Sequence, residues 1–429
     1  MKLTLDYDKT GVEVDIPDRH LAAVLTMNPV EPLADPVGAT SDALARPIAS
    51  PPLAELAKGR TDACVVVSDI TRPVPHRVIL PPIVETLERS GIPRGKITIL
   101  VATGLHTPMT DALLRETLGE EVVRRYRVVN HVARNTDEQV YLGMTPAGIP
   151  AYVDRRYVES DLKVLTGLIE AHFMAGYSGG RKLVAPGLVG VETIKSLHGP
   201  GILEHPNAST GVLDGNPLHE ASLAIARMAG VDFIVNVSMD EARRVTGVFA
   251  GELDRAHRAG VERVERMVRV YLDEPVDIVV TSSAGYPLDM TYYQTVKGMV
   301  GALDILKDRG TLIVASGCAH GVGSGEFERL LRETTDIDAF IRTIQQPGVF
   351  TIDQWEVEEL CKALKKAEVY LFTEGISPDD VRDYLVEPIP SVEAGIARAI
   401  DRHGPSATIA AIPKGPYVMP RLRGATHAL

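Results

Sequence analysis

The amino-acid sequence predicts an α/β fold made of two domains. Short apolar runs typical of buried strands alternate with helical patterns, and this alternation restarts after Pro275. The 429 residues of the chain also exceed what a single hydrophobic core usually serves. Strands that alternate with helices favour mainly parallel, doubly wound (Rossmann-like) sheets. We therefore expect domains at residues 1–272 and 273–429, with a hinge between Arg269 and Val276 and an active-site cleft between the domains.

Composition and charge narrow the class of protein. Apolar residues make up 45% of the chain and charged residues 24%, as in ordinary globular proteins. The formal net charge of −12 argues against a nucleic-acid partner, so local Arg and Lys side chains would have to hold an anionic substrate. Cys64, Cys318 and Cys361 are far apart, which fits free thiols in a reducing compartment. We see no signal core and no membrane-spanning run, and we expect a cytoplasmic protein without a membrane partner.

The first part of the chain places two polar clusters just beyond predicted strands. The predicted elements are a hairpin within residues 1–20, an arm with one short helix at 29–52, strands at 63–67 and 96–101, a helix at 80–90, and short strands within 126–162. Asp69 and Arg72 follow the first of these strands, and His106 follows the second. Open α/β sheets keep their sites at such carboxyl ends. Asp69 could equally serve as a cap, and a single His at a strand end is more often structural.

The segment from Thr166 to Pro200 concentrates the candidate chemistry. An apolar run at 162–165 predicts a buried strand before it, and helical spacing at 191–197 predicts a helix that ends at Gly199. Between and just after these elements lie two imidazoles, a glycine-rich turn and two adjacent cations: His172, Gly176, Gly179, Gly180, Arg181, Lys182 and His198. Glycines and cations of this kind suit a phosphate. The order matches neither a Walker loop nor the dinucleotide fingerprint, so a turn that only packs a helix on a sheet stays an alternative.

The second half repeats the alternation of strands and helices. The predicted elements are helices at 218–228, 254–271, 291–303 and 390–402 and strands at 231–237, 276–281, 311–315, 368–373 and 407–412. The long amphipathic helix at 254–271 is a natural bridge between domains. Tyr293, Gln294 and Lys297 share one helical face, which is also typical of a solvated surface. Trp355, the only Trp, is most simply a core residue.

Taken in order, these motifs resemble the nickel-dependent lactate racemase family, whose members carry a nickel-pincer nucleotide. The similarity covers nearly the whole chain. It implies that Lys182 holds the cofactor through a covalent thioamide and that His198 is the protein ligand of Ni(II). It also implies that His106 and His172 are the two catalytic bases. One departure is visible, because Leu197 stands where the family pattern has Asn.

The same resemblance assigns the remaining site residues. Asp69, the glycine-rich turn, Arg181 and Trp355 would contact the cofactor, with the turn holding its phosphate. The residues implied to bind the substrate are Arg72, Tyr293, Gln294 and Lys297. The protein partners implied are the enzymes that assemble the cofactor.

The function implied is an isomerase that inverts C2 of a 2-hydroxy carboxylate by reversible hydride transfer. Lactate, malate, longer 2-hydroxyacids and sugar acids are all candidate substrates. Two other functions remain open from the residues. An NAD-dependent 2-hydroxyacid dehydrogenase would also need His and Arg, although the dinucleotide fingerprint is absent. A non-catalytic nickel-binding or nucleotide-binding protein would not need two further histidines.

Overall fold

The computed structural model describes residues 1–346 and 348–424, which form two compact units. One unit spans Pro29–Met267, and the other combines Met1–Asn28 with the residues from Val268 onward. The N-terminal residues therefore group with the C-terminal half, whereas the sequence placed them in the first domain. The physical reason is the strand Leu21–Val24, which pairs in parallel with Ile409–Ile412. The sequence of a four-residue strand does not indicate that its partner strand lies almost 400 positions away.

The unit Pro29–Met267 is built on a six-stranded sheet, which confirms the predicted α/β class. From one edge to the other its strands are Val245–Gly251, Phe233–Met239, Leu162–Leu168, Ala63–Ser68, Ile97–Ala102 and Arg127–Asn130. All neighbours are parallel except the first two. The strands that follow Ala63–Ser68 in the chain are first added on one side of it. From Leu162–Leu168 onward, the later strands are added on its other side. These two strands are adjacent, so the topological switch point of the sheet lies between them.

Helices follow most of these strands. The helices of the unit are Pro36–Ala45, Leu53–Leu56, His76–Arg89, Asp111–Leu118, Glu120–Arg125, Arg155–Val158, Val191–Leu197, Pro200–Leu203, Pro217–Ala229 and Leu253–Val268. The helix His76–Arg89 packs Ile83 and Leu87 into the core that also holds Val65 and Ile99 of the sheet. Two hairpins complete the unit, Gln139–Met144 with Pro150–Asp154 and Ala171–His172 with Gly176–Tyr177.

The second unit contains another six-stranded sheet, and all its neighbours are parallel. In order across the sheet the strands are Glu387–Pro388, Ala367–Phe372, Leu306–Ala315, Val276–Ser282, Ile409–Ile412 and Leu21–Val24. The helices are Tyr292–Val300, Gly325–Glu333, Ile337–Ile344, Gln354–Lys366, Pro378–Asp383 and Val392–His403. The predicted N-terminal hairpin is present as Lys2–Leu5 paired with Val12–Asp15.

The predicted long helix at 254–271 ends earlier than expected. It spans Leu253–Val268, and Arg269–Leu272 forms a strand that pairs in parallel with Met419–Leu422. Val and Tyr in this short stretch favour a strand once a partner strand is available. The three cysteines are free, as predicted, and all three are buried. Within the described residues, every helix is too short or too polar to cross a membrane.

Candidate active site

The loops that follow three neighbouring parallel strands carry the candidate residues of the unit Pro29–Met267. Asp69 follows Ala63–Ser68, His106 follows Ile97–Ala102, and the segment with His172 and Lys182 follows Leu162–Leu168. The carboxyl ends of neighbouring parallel strands lie at the same edge of a sheet, so these loops converge at the switch point. The structure thus gathers at one edge residues that are more than 100 positions apart in the chain.

Asp69 and His106 form the closest pair at this edge. The Asp69 Oδ2 atom lies 2.6 Å from His106 Nδ1, and Thr71 donates to Asp69 Oδ1 through its hydroxyl at 2.6 Å and its backbone N–H at 3.0 Å. Burial alone would raise the pKa of Asp69, but the charge and hydrogen bond of His106 and the Thr71 bond lower that pKa to about 2. The carboxylate therefore accepts the Nδ1 proton of His106 and leaves the lone pair of the neutral ring on Nε2.

Arg72 lies beside this pair. Its Nη1 atom donates to the Thr71 carbonyl oxygen at 3.1 Å, and its positive charge helps to lower the pKa of Asp69. A guanidinium at a strand end presents several planar donors, which match a carboxylate in geometry and charge. Thr71, which fixes both neighbours, was not singled out from the sequence. Its position between two candidate site residues, Asp69 and Arg72, could have indicated that it belongs to the site.

His172 lies in the short hairpin Ala171–His172 with Gly176–Tyr177, and its ring has a defined orientation. Its Nδ1 atom accepts from the backbone N–H groups of Met174 at 3.2 Å and Ala175 at 3.3 Å. The neutral ring therefore carries its proton on Nε2, which lies 2.8 Å from Lys182 Nζ. His106 and His172 consequently present opposite tautomers, one with a lone pair on Nε2 and the other with a proton there.

The glycine-rich turn is shaped by contacts inside the protein. Gly176 has φ +73°, and a Cβ atom there would lie 2.0 Å from the carbonyl oxygen of Val212. The backbone N–H of Gly180 donates to Asn236 Oδ1 at 2.9 Å. Gly179 likewise has a positive φ of +76°. These glycines are therefore required by the turn itself, and their contact with a phosphate stays a prediction.

Arg181 lies inside the unit, with a relative exposure of 1%. Its guanidinium donates to the Ala175 carbonyl oxygen at 2.7 Å and lies 3.2 Å from His257 Nε2. Burial lowers the pKa of Arg181 to about 9. The side chain supports the turn from within, and its assignment to a phosphate remains a prediction. His257 was missed from the sequence, since a single His in a helix rich in Arg and Glu gives no signal.

His198 is the residue that ends the helix Val191–Leu197, as the sequence predicted. Its Nδ1 atom donates to the Ile194 carbonyl oxygen at 3.0 Å, so the lone pair of the neutral ring is on Nε2. Burial is the largest effect on the pKa of His198 and lowers it to about 4, against the opposing effect of the Ile194 bond. A neutral imidazole that is oriented by a backbone carbonyl is a common arrangement for a metal ligand.

The remaining candidates lie in the second unit and also contact each other. Trp355 Nε1 donates to the Tyr293 hydroxyl at 2.7 Å, and Trp355 is 4% exposed. Lys297 Nζ forms a hydrogen bond with Gln294 Oε1, one helical turn before it. The helix Tyr292–Val300 therefore carries Tyr293, Gln294 and Lys297 as the spacing predicted. Their roles toward a substrate remain predictions.

Comparisons with known proteins cover nearly the whole chain. Residues 7–211 match the lactate racemase N-terminal domain, and residues 272–419 match the lactate racemase C-terminal domain. The chain is 34% identical over 418 residues to lactate racemase of Lactiplantibacillus plantarum, covering 96% of this chain and 98% of that protein. It is 33% identical over 425 residues to lactate racemase of Thermoanaerobacterium thermosaccharolyticum, covering 98% and 99%.

Solved structures support the same fold. The lactate racemase apoprotein from Thermoanaerobacterium thermosaccharolyticum superposes with a TM-score of 0.91 and 32% identity, covering 98% of this chain and 100% of that chain. A Thermotoga maritima protein superposes with a TM-score of 0.70 and 19% identity, covering 91% and 99%. At that identity the second match concerns the fold alone.

Proposed function

The chain belongs to the lactate racemase family, and from this premise we propose that it inverts C2 of a 2-hydroxy carboxylate, with lactate as the first substrate to test. The observation that carries the proposal is the pair of imidazoles with opposite tautomers at one sheet edge. A racemase that works on both enantiomers needs one group to accept a proton and another to donate one. The family match favours this function over the dehydrogenase and the non-catalytic binding protein.

The cofactor in this proposal is a nickel-pincer nucleotide attached at Lys182. His198 fits the role of nickel ligand, because its neutral ring carries the lone pair on Nε2. A neutral imidazole nitrogen is a suitable donor for Ni(II). When bound, the cofactor supplies the acceptor and donor for the hydrogen of C2, transferred as hydride. Asp69, the glycine-rich turn, Arg181 and Trp355 are the other residues assigned to it, and separate maturation enzymes would supply it.

The side chains of the protein would bind the substrate carboxylate and transfer the hydroxyl proton. Arg72 would bind the substrate carboxylate, and Tyr293, Gln294 and Lys297 are also assigned to the substrate. His106 would take the hydroxyl proton of one enantiomer at Nε2, while His172 would donate its Nε2 proton in that direction and take the hydroxyl proton of the other enantiomer in the reverse direction. The two histidines exchange the roles of acid and base when the reaction runs backwards. Imidazole suits both roles because its ordinary pKa, about 6.5, lies near working pH.

The fate of the C2 hydrogen tests this proposal directly. The C2–H bond beside an ionised carboxylate is a very weak acid, and an imidazole is badly matched to removing its proton. We expect lactate deuterated at C2 to racemise in H₂O with its label largely retained, as followed by chiral chromatography and mass spectrometry. Washout of deuterium at the rate of racemisation would contradict hydride transfer. Malate, longer 2-hydroxyacids and sugar acids would be compared under the same conditions.

Asp69→Asn is expected to lower kcat by roughly 10²- to 10⁴-fold, the usual contribution of an acid–base group. Because Thr71 donates twice to the Oδ1 position, the amide oxygen should stay there and its NH₂ group should face His106, where it cannot accept the Nδ1 proton. The decrease would be measured with cofactor-loaded protein at saturating lactate. Asp137→Asn, at an exposed position of the short 3₁₀ helix Thr136–Glu138, is the matched control and should leave kcat unchanged. An unchanged kcat in Asp69→Asn would contradict the role of the pair.

A further inference from the structure

The contact between Lys182 and His172 has a chemical implication of its own. Lys182 Nζ lies 2.8 Å from His172 Nε2, while two backbone N–H groups point at Nδ1 of the same ring. We propose that His172 first serves as the acid–base catalyst for covalent attachment of the cofactor to Lys182, before its role in racemisation. This inference rests on the proposed function, since it concerns the same cofactor.

The hydrogen bonds define the protonation state of the pair. Because Nδ1 accepts from Met174 and Ala175, the neutral ring has its proton on Nε2 and donates from that atom. The Lys182 nitrogen must then accept, which only an uncharged amine can do. An uncharged amine is also the form of lysine that attacks a carbonyl carbon. The backbone of residues 174 and 175 thus favours the nucleophilic form of Lys182 through His172.

Both reacting groups are held in place. The His172 ring stacks on Phe173 with centroids 4.9 Å apart, and the residue pairs with Gly176 in the hairpin. The backbone N–H of Lys182 donates to the Gly179 carbonyl oxygen at 3.1 Å, which fixes the base of its side chain. An imidazole fixed at hydrogen-bond distance from a fixed nucleophile is a geometry in which a proton can pass between the two groups.

The attachment step balances without an oxidant or another reactant. The Lys182 amine attacks the carbon of a thiocarboxylic acid on the cofactor, a C–N bond forms, and the C–O bond breaks. The products are a thioamide and water, whose two hydrogens come from the amine and from the thiocarboxylic acid. His172 passes its Nε2 proton to the departing oxygen as the proton released by the nitrogen replaces it on the ring, so that no free imidazolate forms. The sulfur stays on the cofactor, as the pincer requires.

The time course of attachment tests the proposal. Nickel-free protein would be mixed with purified nickel-loaded pyridinium-3,5-bisthiocarboxylic acid mononucleotide, and intact mass would be recorded. Wild-type protein should gain the cofactor mass less one water. His172→Gln should attach at least about 10²-fold more slowly, the lower range of acid–base catalysis. His205→Gln removes an exposed imidazole outside the site and should attach at the wild-type rate. Lys182→Ala should not attach.

Rescue separates a chemical role from a structural one. Added imidazole should accelerate attachment in His172→Ala but not in Lys182→Ala. In the protein without cofactor, an amine-selective isothiocyanate should modify Lys182 faster than the exposed Lys58, and this preference should disappear in His172→Gln. Thermal unfolding would verify that each variant is folded.

The outcomes distinguish this inference from the proposed function. Wild-type attachment rates in His172→Gln, or no imidazole rescue in a folded His172→Ala, would overturn the role of His172 alone. Wild-type protein that binds nickel and nucleotide without any covalent mass would contradict attachment at Lys182. Wild-type protein that takes up no cofactor yet racemises lactate would overturn the proposed function, and this inference with it.

Discussion

Replacing His198 with Ala is expected to leave the protein folded while its nickel content falls at least about 10-fold. Losing groups that merely orient a metal ligand typically costs 10- to 100-fold in affinity, and loss of the ligand itself should cost no less. The side chain ends the helix Val191–Leu197, so removing its ring does not interrupt that helix. Nickel would be measured by elemental analysis of protein loaded by the maturation enzymes, with intact mass recorded on the same sample.

The matched control is His205→Ala, which removes an exposed imidazole seven positions further along the chain. It should retain nickel at the wild-type level. His198→Ala should still carry the organic part of the cofactor, because attachment is assigned to Lys182 and not to His198. Full nickel retention in His198→Ala would show that the protein ligand lies elsewhere, even if racemisation were also lost.

The position of His198 could be predicted because its determinants are local. Helical spacing before it and Gly199-Pro200 after it define the end of the helix, and the structure has the helix at Val191–Leu197. The same holds for the strands Ala63–Ser68 and Ile97–Ala102, whose apolar runs are bounded by polar clusters. The edge strands Val245–Gly251 and Leu21–Val24 could not be predicted in the same way, because they depend on partner strands that no local pattern identifies.

The direction in which individual side chains point could not be predicted from the sequence either. Arg181 and Lys182 are adjacent cations after the same glycines and were given related roles. In the structure Arg181 turns into the interior toward His257, whereas Lys182 approaches His172. The backbone of the turn decides this difference, and it depends on contacts such as that between Gly176 and Val212, 36 positions away. The pairing of His106 with Asp69 is equally a product of strand order.

Acidification from pH 7 to pH 5 is expected to lower the free energy of unfolding of the unit Pro29–Met267 by several kcal/mol. Three buried histidines outside the proposed chemistry cause this. Burial lowers the pKa of His76 to about 4 and that of His219 to about 3, and it also depresses the pKa of His257 well below its ordinary value. Neither ring nitrogen of His219 has a hydrogen-bond partner in the described part of the structure.

The sign of the effect follows from where protons bind. In the unfolded chain these rings have a pKa of about 6.5, so the unfolded state takes up protons first as pH falls. The stabilisation from neutral rings is thus complete above pH 6.5 and declines toward pH 4. Each proton contributes about 1.4 kcal/mol per pH unit, so the three protons taken up by these rings over about 1.5 units give roughly 6 kcal/mol. Below about pH 4, protonation of Asp69, whose pKa is about 2, adds to the loss.

Urea denaturation at several pH values would measure this dependence, and one variant isolates a single ring. His219→Leu removes a titrating group without leaving a buried polar atom, so the slope of unfolding free energy between pH 6.5 and 5 should fall by about 1.4 kcal/mol per pH unit. His205→Leu removes an exposed ring and should leave the slope unchanged. If both variants kept the wild-type slope, His219 would not be the neutral buried group that the structure indicates. Racemisation need not be measured, so the result is independent of the cofactor.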